Sequence, residues 1–171
     1  LGEIKMIRFE NVDLTIIDGH KKRNIIDNIS FELPSHGMIS LFGKSGSGKS
    51  TILNLISHEV KKTSGKIIVN NIDYDNLSDA KEDYIRRNIV SFITQDSSLF
   101  NFLTVEENIH ISLYLSGKSL DKLIEYGNYE QILGISTLLN EKVENLSGGE
   151  KQRLSIYISI IRETLIYLVD E

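Results

Sequence analysis

Gly43-Lys44-Ser45-Gly46-Ser47-Gly48-Lys49-Ser50-Thr51 is the stretch that decides the fold. It fits the pattern G-x-x-x-x-G-K-[ST]. The apolar run Met38 to Phe42 precedes it, and apolar residues at helical spacing follow it from Ile52 to Ile56. Because the run Met38 to Phe42 does not alternate and contains only one polar residue, Ser40, it predicts a strand covered on both faces, as in a parallel sheet. The stretch is therefore predicted to join a buried strand to a helix.

The chemistry that this stretch predicts is phosphate binding. Glycines at three of its positions allow the backbone to wrap an anion with its N–H groups pointing inward, and the following helix adds its partial positive charge. Lys49 would reach the β- and γ-phosphates as a point charge. The Ser50 hydroxyl would take one position on Mg²⁺, which prefers oxygen ligands. All nine residues are assigned to nucleotide binding.

Length and composition exclude several classes of protein. The chain has 171 residues, 40% hydrophobic and 25% charged, which suits one globular domain. It has no cysteine, which removes disulfides and thiolate metal sites. The net charge of −5 disfavours a non-specific polyanion binder, and the basic cluster Lys21 to Arg23 is interpreted as a solvated loop. Without a long apolar run or a signal pattern, a cytoplasmic location is expected.

Periodicity outlines the order of the elements. Alternating apolar residues over 7–16 and again over 29–33 predict antiparallel strands. Further strands are predicted at Lys66 to Val69, Ile89 to Ile93 and Leu165 to Val169, with a helix over Asp79 to Arg87 after an N-cap at Ser78. From Asp96 to Glu163 the spacing becomes helical, and a capping box places a helix start at Thr104.

A second glycine-containing segment is Leu146-Ser147-Gly148-Gly149-Glu150, followed by Lys151-Gln152-Arg153. Ser147 and Glu150 have the spacing of a capping box, so a helix is predicted to begin here with a first turn that exposes bare N–H groups. Such an end attracts phosphate. Taken alone, the segment is equally well explained as an ordinary N-cap; its combination with a phosphate-binding loop favours a functional role.

The third candidate cluster consists of polar residues at strand ends. Asp170 follows five apolar residues, which predicts a carboxylate at the carboxyl end of a buried strand. Asp170 is assigned to the Mg²⁺ shell, and Glu171 to the polarisation of water for attack on the γ-phosphate. Gln95, after the strand Ile89 to Ile93, is assigned to Mg²⁺ or to the attacking water.

The combination GKSGSGKST, Gln95 followed by LTVEENI, LSGGEKQR and LIYLVDE resembles the ATP-binding cassette (ABC) ATPases over essentially the whole chain. The resemblance implies ATP and Mg²⁺ as cofactors, and a head-to-tail dimer in which Leu146 to Glu150 of one subunit closes on ATP held by the other. It also implies a polytopic membrane permease as partner and a location on the inner face of the membrane. The branch that handles lipoproteins, macrolides and peptides is the most similar.

The fold that the resemblance implies is α/β: a P-loop NTPase core with a mixed or parallel sheet, an antiparallel N-terminal β subdomain and an inserted α-helical subdomain. The core is expected to comprise residues 1–95 and 164–171, and the helical subdomain residues 96–163. The family's downstream Asp loop and switch His have no counterpart, so a chain truncated after the second carboxylate-bearing strand, with low ATPase activity, is expected. Ile16 stands where the family often stacks an aromatic ring on adenine. The resemblance therefore assigns the stacking on adenine to a neighbouring Tyr or Phe.

Two alternatives to a transport ATPase remain. One is an ABC-type ATPase that acts on DNA or ribosomes, which the compact interval between Gln95 and Ser147 and the negative charge disfavour. The other is a relative in which nucleotide clamps a dimer without turnover, which Glu171 disfavours. Direct nucleic-acid binding is not expected.

Overall fold

The computed structural model describes residues 5–18, 21–93 and 99–170. The chain forms two compact units, Leu1–Asp83 and Tyr84–Glu171, and each has its own sheet. The predicted division into a core of 1–95 plus 164–171 and a helical subdomain of 96–163 stays a prediction.

The first unit is built on an antiparallel sheet with strand order β2-β1-β3-β4. The strands are β1 (Lys5–Asp18), β2 (Lys21–Pro34), β3 (Ser64–Val69) and β4 (Ile72–Asp73). Alternating apolar residues of β1 and β3 face the core, where Phe9 stacks on Phe31 with ring centroids 4.5 Å apart. The predicted antiparallel strands are confirmed. The basic residues 21–23 are exposed, as predicted, but they belong to β2 and not to a loop.

The segment between β2 and the first helix differs from the prediction. Met38 to Phe42 forms no strand, and Met38 and Phe42 are 95% and 93% exposed. A parallel strand needs a hydrogen-bonded neighbour, and none of the described residues pairs with 38–42 in the sheet of this unit. The buried strand predicted here is therefore wrong for this structure. Helix α1 (Lys49–Ile56) follows as predicted and buries Leu55 and Ile56.

The predicted helix over Asp79 to Arg87 is divided. Helix α2 (Asp79–Tyr84) is continued by a π-helical turn, Ile85–Ile89, that buries its two terminal isoleucines and leads into β5 (Val90–Ile93). Strand β6 (Ile166–Val169) pairs with β5 in parallel, which agrees with the predicted mixed or parallel sheet. However, β6 is not a buried strand: Leu168 is buried, whereas Tyr167 and Val169 are 46% and 56% exposed, because one of its faces carries no covering layer among the described residues.

Helices dominate the rest of the second unit. They are α3 (Val105–Ser116), α4 (Asp121–Glu125), α5 (Gly127–Ile132) and α6 (Gly148–Arg162), with a 3₁₀ turn at Val143–Asn145. The core between α3 and α6 contains Val105, Ile109, Leu113, Leu154, Tyr157, Ile158 and Ile161. The predicted capping box at Thr104 is confirmed, with the Glu107 N–H donating to Thr104 Oγ1 at 3.1 Å.

Across the described ranges, no helix has the length and apolar character that a membrane span requires.

Candidate functional site

The glycine-rich loop takes its shape from residues with left-handed backbone conformations. Gly46 has φ of 76°, and Gly48, the N-cap of α1, has φ of 92°. Residues with a Cβ rarely adopt this region. From Gly48 the chain turns directly into α1, where the Ile52 N–H donates to Gly48 O at 2.9 Å. The first N–H groups of α1 therefore lie next to the loop, and the first turn contains no acidic side chain.

Lys49 folds back over this loop. Its ammonium donates to Gly43 O and to Lys44 O, each at 3.1 Å, and the loop is closed further by the Ser47 N–H, which donates to Lys44 O at 3.2 Å. An ammonium group has three donors, so one remains after these two bonds. The lysine thus places a positive charge over the loop's own backbone, as a phosphate-binding loop requires.

Neighbouring side chains lie close to two of the loop's three glycines, Gly43 and Gly48. A Cβ built on Gly43 would lie 2.7 Å from Ser47 Oγ. A Cβ built on Gly48 would lie 2.9 Å from Ile26 Cδ1 on β2. The contact between Gly48 and β2 was not visible in the sequence, because it joins residues 22 positions apart. Ser50 is exposed in the first turn of α1, and Thr51 is half-buried.

The segment Leu146 to Glu150 forms the predicted helix start. Leu146 is buried in the helical core and anchors the segment. Ser147 is the N-cap of α6, and its N–H and hydroxyl both donate to Glu150 Oε2, at 2.7 and 2.6 Å. These hydrogen bonds, first of all the one from the serine hydroxyl, hold the pKa of the Glu150 carboxyl below its ordinary value. The capping box is therefore formed in full.

The two glycines of this segment meet little of their own chain. A Cβ on Gly148 would find no atom within 4 Å, and one on Gly149 would find only Arg153 Nη1, at 3.6 Å. Arg153 is itself held in place by donating from Nε to Leu133 O at 2.9 Å, a contact that spacing did not reveal. Neither glycine has a positive φ. Their small size is therefore not required by packing among the described residues.

Asp170 lies at the carboxyl edge of the parallel pair β5 and β6. Its N–H donates to Ile93 O at 3.0 Å, so the ends of the two strands meet there. The predicted position of Asp170 at the end of a strand is therefore found. Gln95 and Glu171, the residues assigned to water and metal handling, lie outside the described residues.

A glycine loop closed by a lysine at the start of a helix, in a chain that also has parallel strands, defines the class of P-loop nucleotide-binding proteins. The family profile described as "ABC transporter" matches residues 26–171. The chain belongs to the ABC transporter ATP-binding family.

Relatives and solved structures agree with this family. A putative ABC transporter ATP-binding protein of Mycoplasma pneumoniae (MG065 homolog) is 32% identical over 99% of this chain, which spans 36% of that protein. The lipoprotein-releasing system ATP-binding protein LolD of Ehrlichia chaffeensis is 36% identical over 89% of this chain and 66% of its own length.

Among solved structures, the dimeric ATP-binding cassette MJ0796 in a post-hydrolysis state with ADP and Pi has a TM-score of 0.84. It is 29% identical, and the match covers 97% of this chain and 74% of that one. The predicted fold class, a P-loop NTPase core with an antiparallel subdomain and helices, is confirmed.

Proposed function

We propose that the chain is the ATP-binding and ATP-hydrolysing part of a transport motor, which acts as a dimer on a polytopic membrane permease from the inner face of the membrane. The observation that carries the proposal is Lys49, whose ammonium lies over the carbonyls of Gly43 and Lys44 at the start of α1. This arrangement combines an ammonium group, backbone N–H groups and a helix N-terminus, which together suit the phosphates of a nucleotide.

In this proposal the loop residues Gly43 to Thr51 bind and orient the triphosphate. Lys49 exchanges its carbonyl partners for phosphate oxygens, which bear more charge and make stronger hydrogen bonds. Ser50 and Asp170 offer the oxygen ligands that Mg²⁺ prefers, and the bound ion would neutralise charge on the phosphates. Gln95 and Glu171 are assigned to the attacking water, Glu171 as the general base.

The segment Leu146 to Glu150 is assigned to the nucleotide held by a second subunit. The support is steric: Gly148 and Gly149 face no packing partner that would require glycine, yet a side chain there would cover the first N–H groups of α6. The close approach of a phosphate to these N–H groups would explain why both residues are glycine. The named relatives, which include a lipoprotein-releasing ATP-binding protein, support transport as the purpose of the motor.

The test of nucleotide binding is the substitution Lys49→Ala in the full-length protein. Loss of charge-assisted hydrogen bonds worth about 1.5–3 kcal/mol each should weaken Mg²⁺-ATP binding by roughly 10- to 150-fold, measured by titration calorimetry. The matched control is Lys142→Ala, at a lysine whose side chain is 57% exposed and pairs only loosely with Glu144 at 3.8 Å. Equal affinities of the two variants would remove the loop from the binding site.

The transport role has a separate test. Purification of the full-length protein from membranes should recover a polytopic membrane protein as its partner. Recovery of ribosomes or nucleic acid instead would contradict the transport role and favour an ABC-type ATPase that acts on DNA or ribosomes.

A further inference from the structure

The helix that follows the phosphate loop, α1, ends in a tightly hydrogen-bonded turn. The His58 N–H donates to Leu55 O at 3.3 Å. The Glu59 N–H donates to Asn54 O at 3.0 Å. These two bonds are those of a Schellman motif, in which the residue after the C-cap has a left-handed backbone and is usually glycine. Here that residue is His58, with φ of 63°.

The side chain of His58 is held by two neighbours. Its Nε2 lies 3.2 Å from Glu82 Oε1, on α2, and its ring meets the ring of Tyr74 edge-on, with centroids 4.9 Å apart. The side chains of His58 and Glu82 are 8% and 18% exposed. A left-handed backbone at a residue with a Cβ persists where surrounding contacts hold the residue in place, and these contacts do so here. His58 therefore joins the end of α1 to α2.

The end of α1 is a place where a positive charge is stabilised. A helix C-terminus carries a partial negative charge, and the last turn of α1 contains no basic residue. Tyr74 donates from Oη to Ile56 O at 2.7 Å, and burial raises the pKa of Tyr74, so this partner stays neutral. Histidine gains or loses a proton near neutral pH, so His58 can supply the charge that the helix end favours.

The titratable groups around His58 come from three elements: Glu82 from α2, Lys61 from the segment after α1, and Tyr74 from the segment after β4. Lys61 Nζ donates to the same oxygen as His58, Glu82 Oε1, at 3.1 Å. The hydrogen bonds from Lys61 and then from His58 hold the pKa of Glu82 below its ordinary value, so Glu82 is ionised where histidines titrate. The Lys61 side chain is 74% exposed, so solvent screens its charge more than that of the buried His58.

Helix α1 connects this ion pair to the phosphate loop. It has eight residues, a length of roughly 12 Å, and it begins at Lys49, whose ammonium closes the loop. Its buried residues, Leu55 and Ile56, lie at the end that His58 follows. Because the helix is a short hydrogen-bonded rod, contacts that fix its last turn also fix the position of its first N–H groups.

We propose that His58 is a positioning residue of the phosphate site: in its protonated form it pairs with Glu82, fixes α1 against α2 and so holds the phosphate loop in the arrangement that binds nucleotide most tightly. The inference rests on the proposed nucleotide-binding function and adds a proton-dependent control of the same site. The protonated form strengthens ATP binding on the acid side of the histidine titration, and this gain is lost as the pH rises.

The test is the pH dependence of Mg²⁺-ATP affinity in the full-length protein, measured by titration calorimetry between about pH 5 and pH 8. Asparagine tolerates a left-handed backbone, so His58→Asn removes the ring and its charge but keeps the turn. We expect the ratio of wild-type affinity to His58→Asn affinity to fall by about 2- to 5-fold from the acid to the alkaline end, the factor for a charge at a helix terminus. Taking the ratio cancels the titration of the nucleotide itself.

Three further variants test the ion pair. Glu82→Gln keeps an acceptor for the ring but removes the anion, so it should lose the same pH dependence, and combining it with His58→Asn should cause no further loss. The matched control His110→Gln, at an exposed histidine on α3, should keep the wild-type profile. His58→Gly relieves the backbone strain, so its loss of pH dependence cannot be caused by a less stable turn.

Two results would overturn the role of His58. One is a ratio of wild-type to His58→Asn affinity that stays constant with pH, which would reduce His58 to a packing residue. The other is a wild-type pH profile in Glu82→Gln, or a change in His110→Gln as large as that in His58→Asn. If the wild-type protein bound no ATP at any pH, the proposed function itself would fail, which is a different outcome from normal affinity with a constant ratio.

Discussion

Gly48 has two separate physical reasons to be glycine. Its φ of 92° lies in the left-handed region, and a Cβ there would stand 2.9 Å from Ile26 Cδ1 and 3.4 Å from Ile25 O. Gly46 has only the first reason, because its φ is 76° and a Cβ would find open space. The two positions therefore separate backbone strain from steric conflict within a single loop.

We expect Gly48→Ala to be more damaging than Gly46→Ala. Backbone strain costs about 1–2 kcal/mol at either position, and at Gly48 the conflict with Ile26 adds roughly 1–3 kcal/mol. Urea denaturation of the two variants measures the difference in the free energy of unfolding. Equal destabilisation would show that Ile26 moves aside without cost, and it would weaken the contact between β2 and the loop.

How far single residues could be predicted depends on whether their signal is local. The phosphate loop and both capping boxes were visible because each is a pattern within a few consecutive residues. The contacts from Gly48 to Ile26 and from Arg153 to Leu133 were not, because they join distant parts of the chain and leave no spacing to recognise. The assignments of Gln95 and Glu171 stay predictions.

At the scale of elements, the C-terminus of α6 is tied to the helices around it by one carboxylate. Glu163, the C-cap, has φ of 52° and accepts from Lys122 Nζ at 2.8 Å and from Tyr126 Oη at 2.7 Å. These partners, Lys122 first, hold the pKa of Glu163 below its ordinary value, and the carboxylate raises the pKa of Tyr126 to about 12. The ionised form of Glu163 is thus the one that the fold stabilises.

Glu163→Gln should therefore destabilise the protein in a pH-dependent way. Because the folded-state pKa of Glu163 is lowered, its contribution is present above the unfolded-state pKa and is lost as the pH falls through the folded-state pKa. We expect Tm to fall by roughly a few degrees at pH 7 and the difference from wild type to disappear in acid. Thermal denaturation at several pH values measures this.

The matched control is Glu125→Gln. Glu125 also accepts from Lys122, at 2.7 Å, but this hydrogen bond joins two residues of the same helix, α4. If Glu125→Gln lowered Tm as much as Glu163→Gln, with the same pH dependence, the hydrogen bonds would stabilise the position of Lys122 and not the end of α6.

The strands show where apolar patterning was insufficient. Met38 to Phe42, which has Ser40 as its one polar residue, and Leu165 to Val169 are both largely apolar runs, and both predicted buried strands. Only the second became a strand, with half of its residues exposed, and the first is an exposed segment. Hydrophobicity indicates that a run can be buried; whether it pairs depends on a neighbouring strand, which lies elsewhere in the sequence. The alternating runs of β1 and β2 were predicted correctly because they pair with each other across one hairpin.

At the scale of the whole molecule, the central question is where the segment Leu146 to Glu150 acts. The phosphate loop belongs to the first unit and this segment to the second. A related cassette was solved as a dimer bound to ADP and Pi. Among the described residues, only Arg153 Nη1 would lie within 4 Å of a Cβ on Gly149, at 3.6 Å, and nothing would lie within 4 Å of one on Gly148. Larger side chains there should therefore be tolerated by the fold and should interfere with a partner that approaches this surface.

We expect Gly149→Asp to separate folding and ATP binding from dimerisation. The carboxylate would stand at the N-terminus of α6, where it would block the bare N–H groups and repel the γ-phosphate of the other subunit's nucleotide. In a full-length Glu171→Gln background, chosen to prevent hydrolysis, ATP-induced dimerisation should fail, whereas Tm and the affinity of the variant's own loop for ATP should stay unchanged. Size-exclusion chromatography with and without ATP measures dimerisation, and a nucleotide titration on the same samples measures binding.

The control for added charge is Gly134→Asp, at another glycine whose Cβ would have no described atom within 4 Å, in the turn after α5. Its φ is 68°, a conformation that aspartate tolerates better than most residues. Intact dimerisation of Gly149→Asp, or loss of monomer ATP binding, would return the segment to the simpler interpretation of a well-capped helix start.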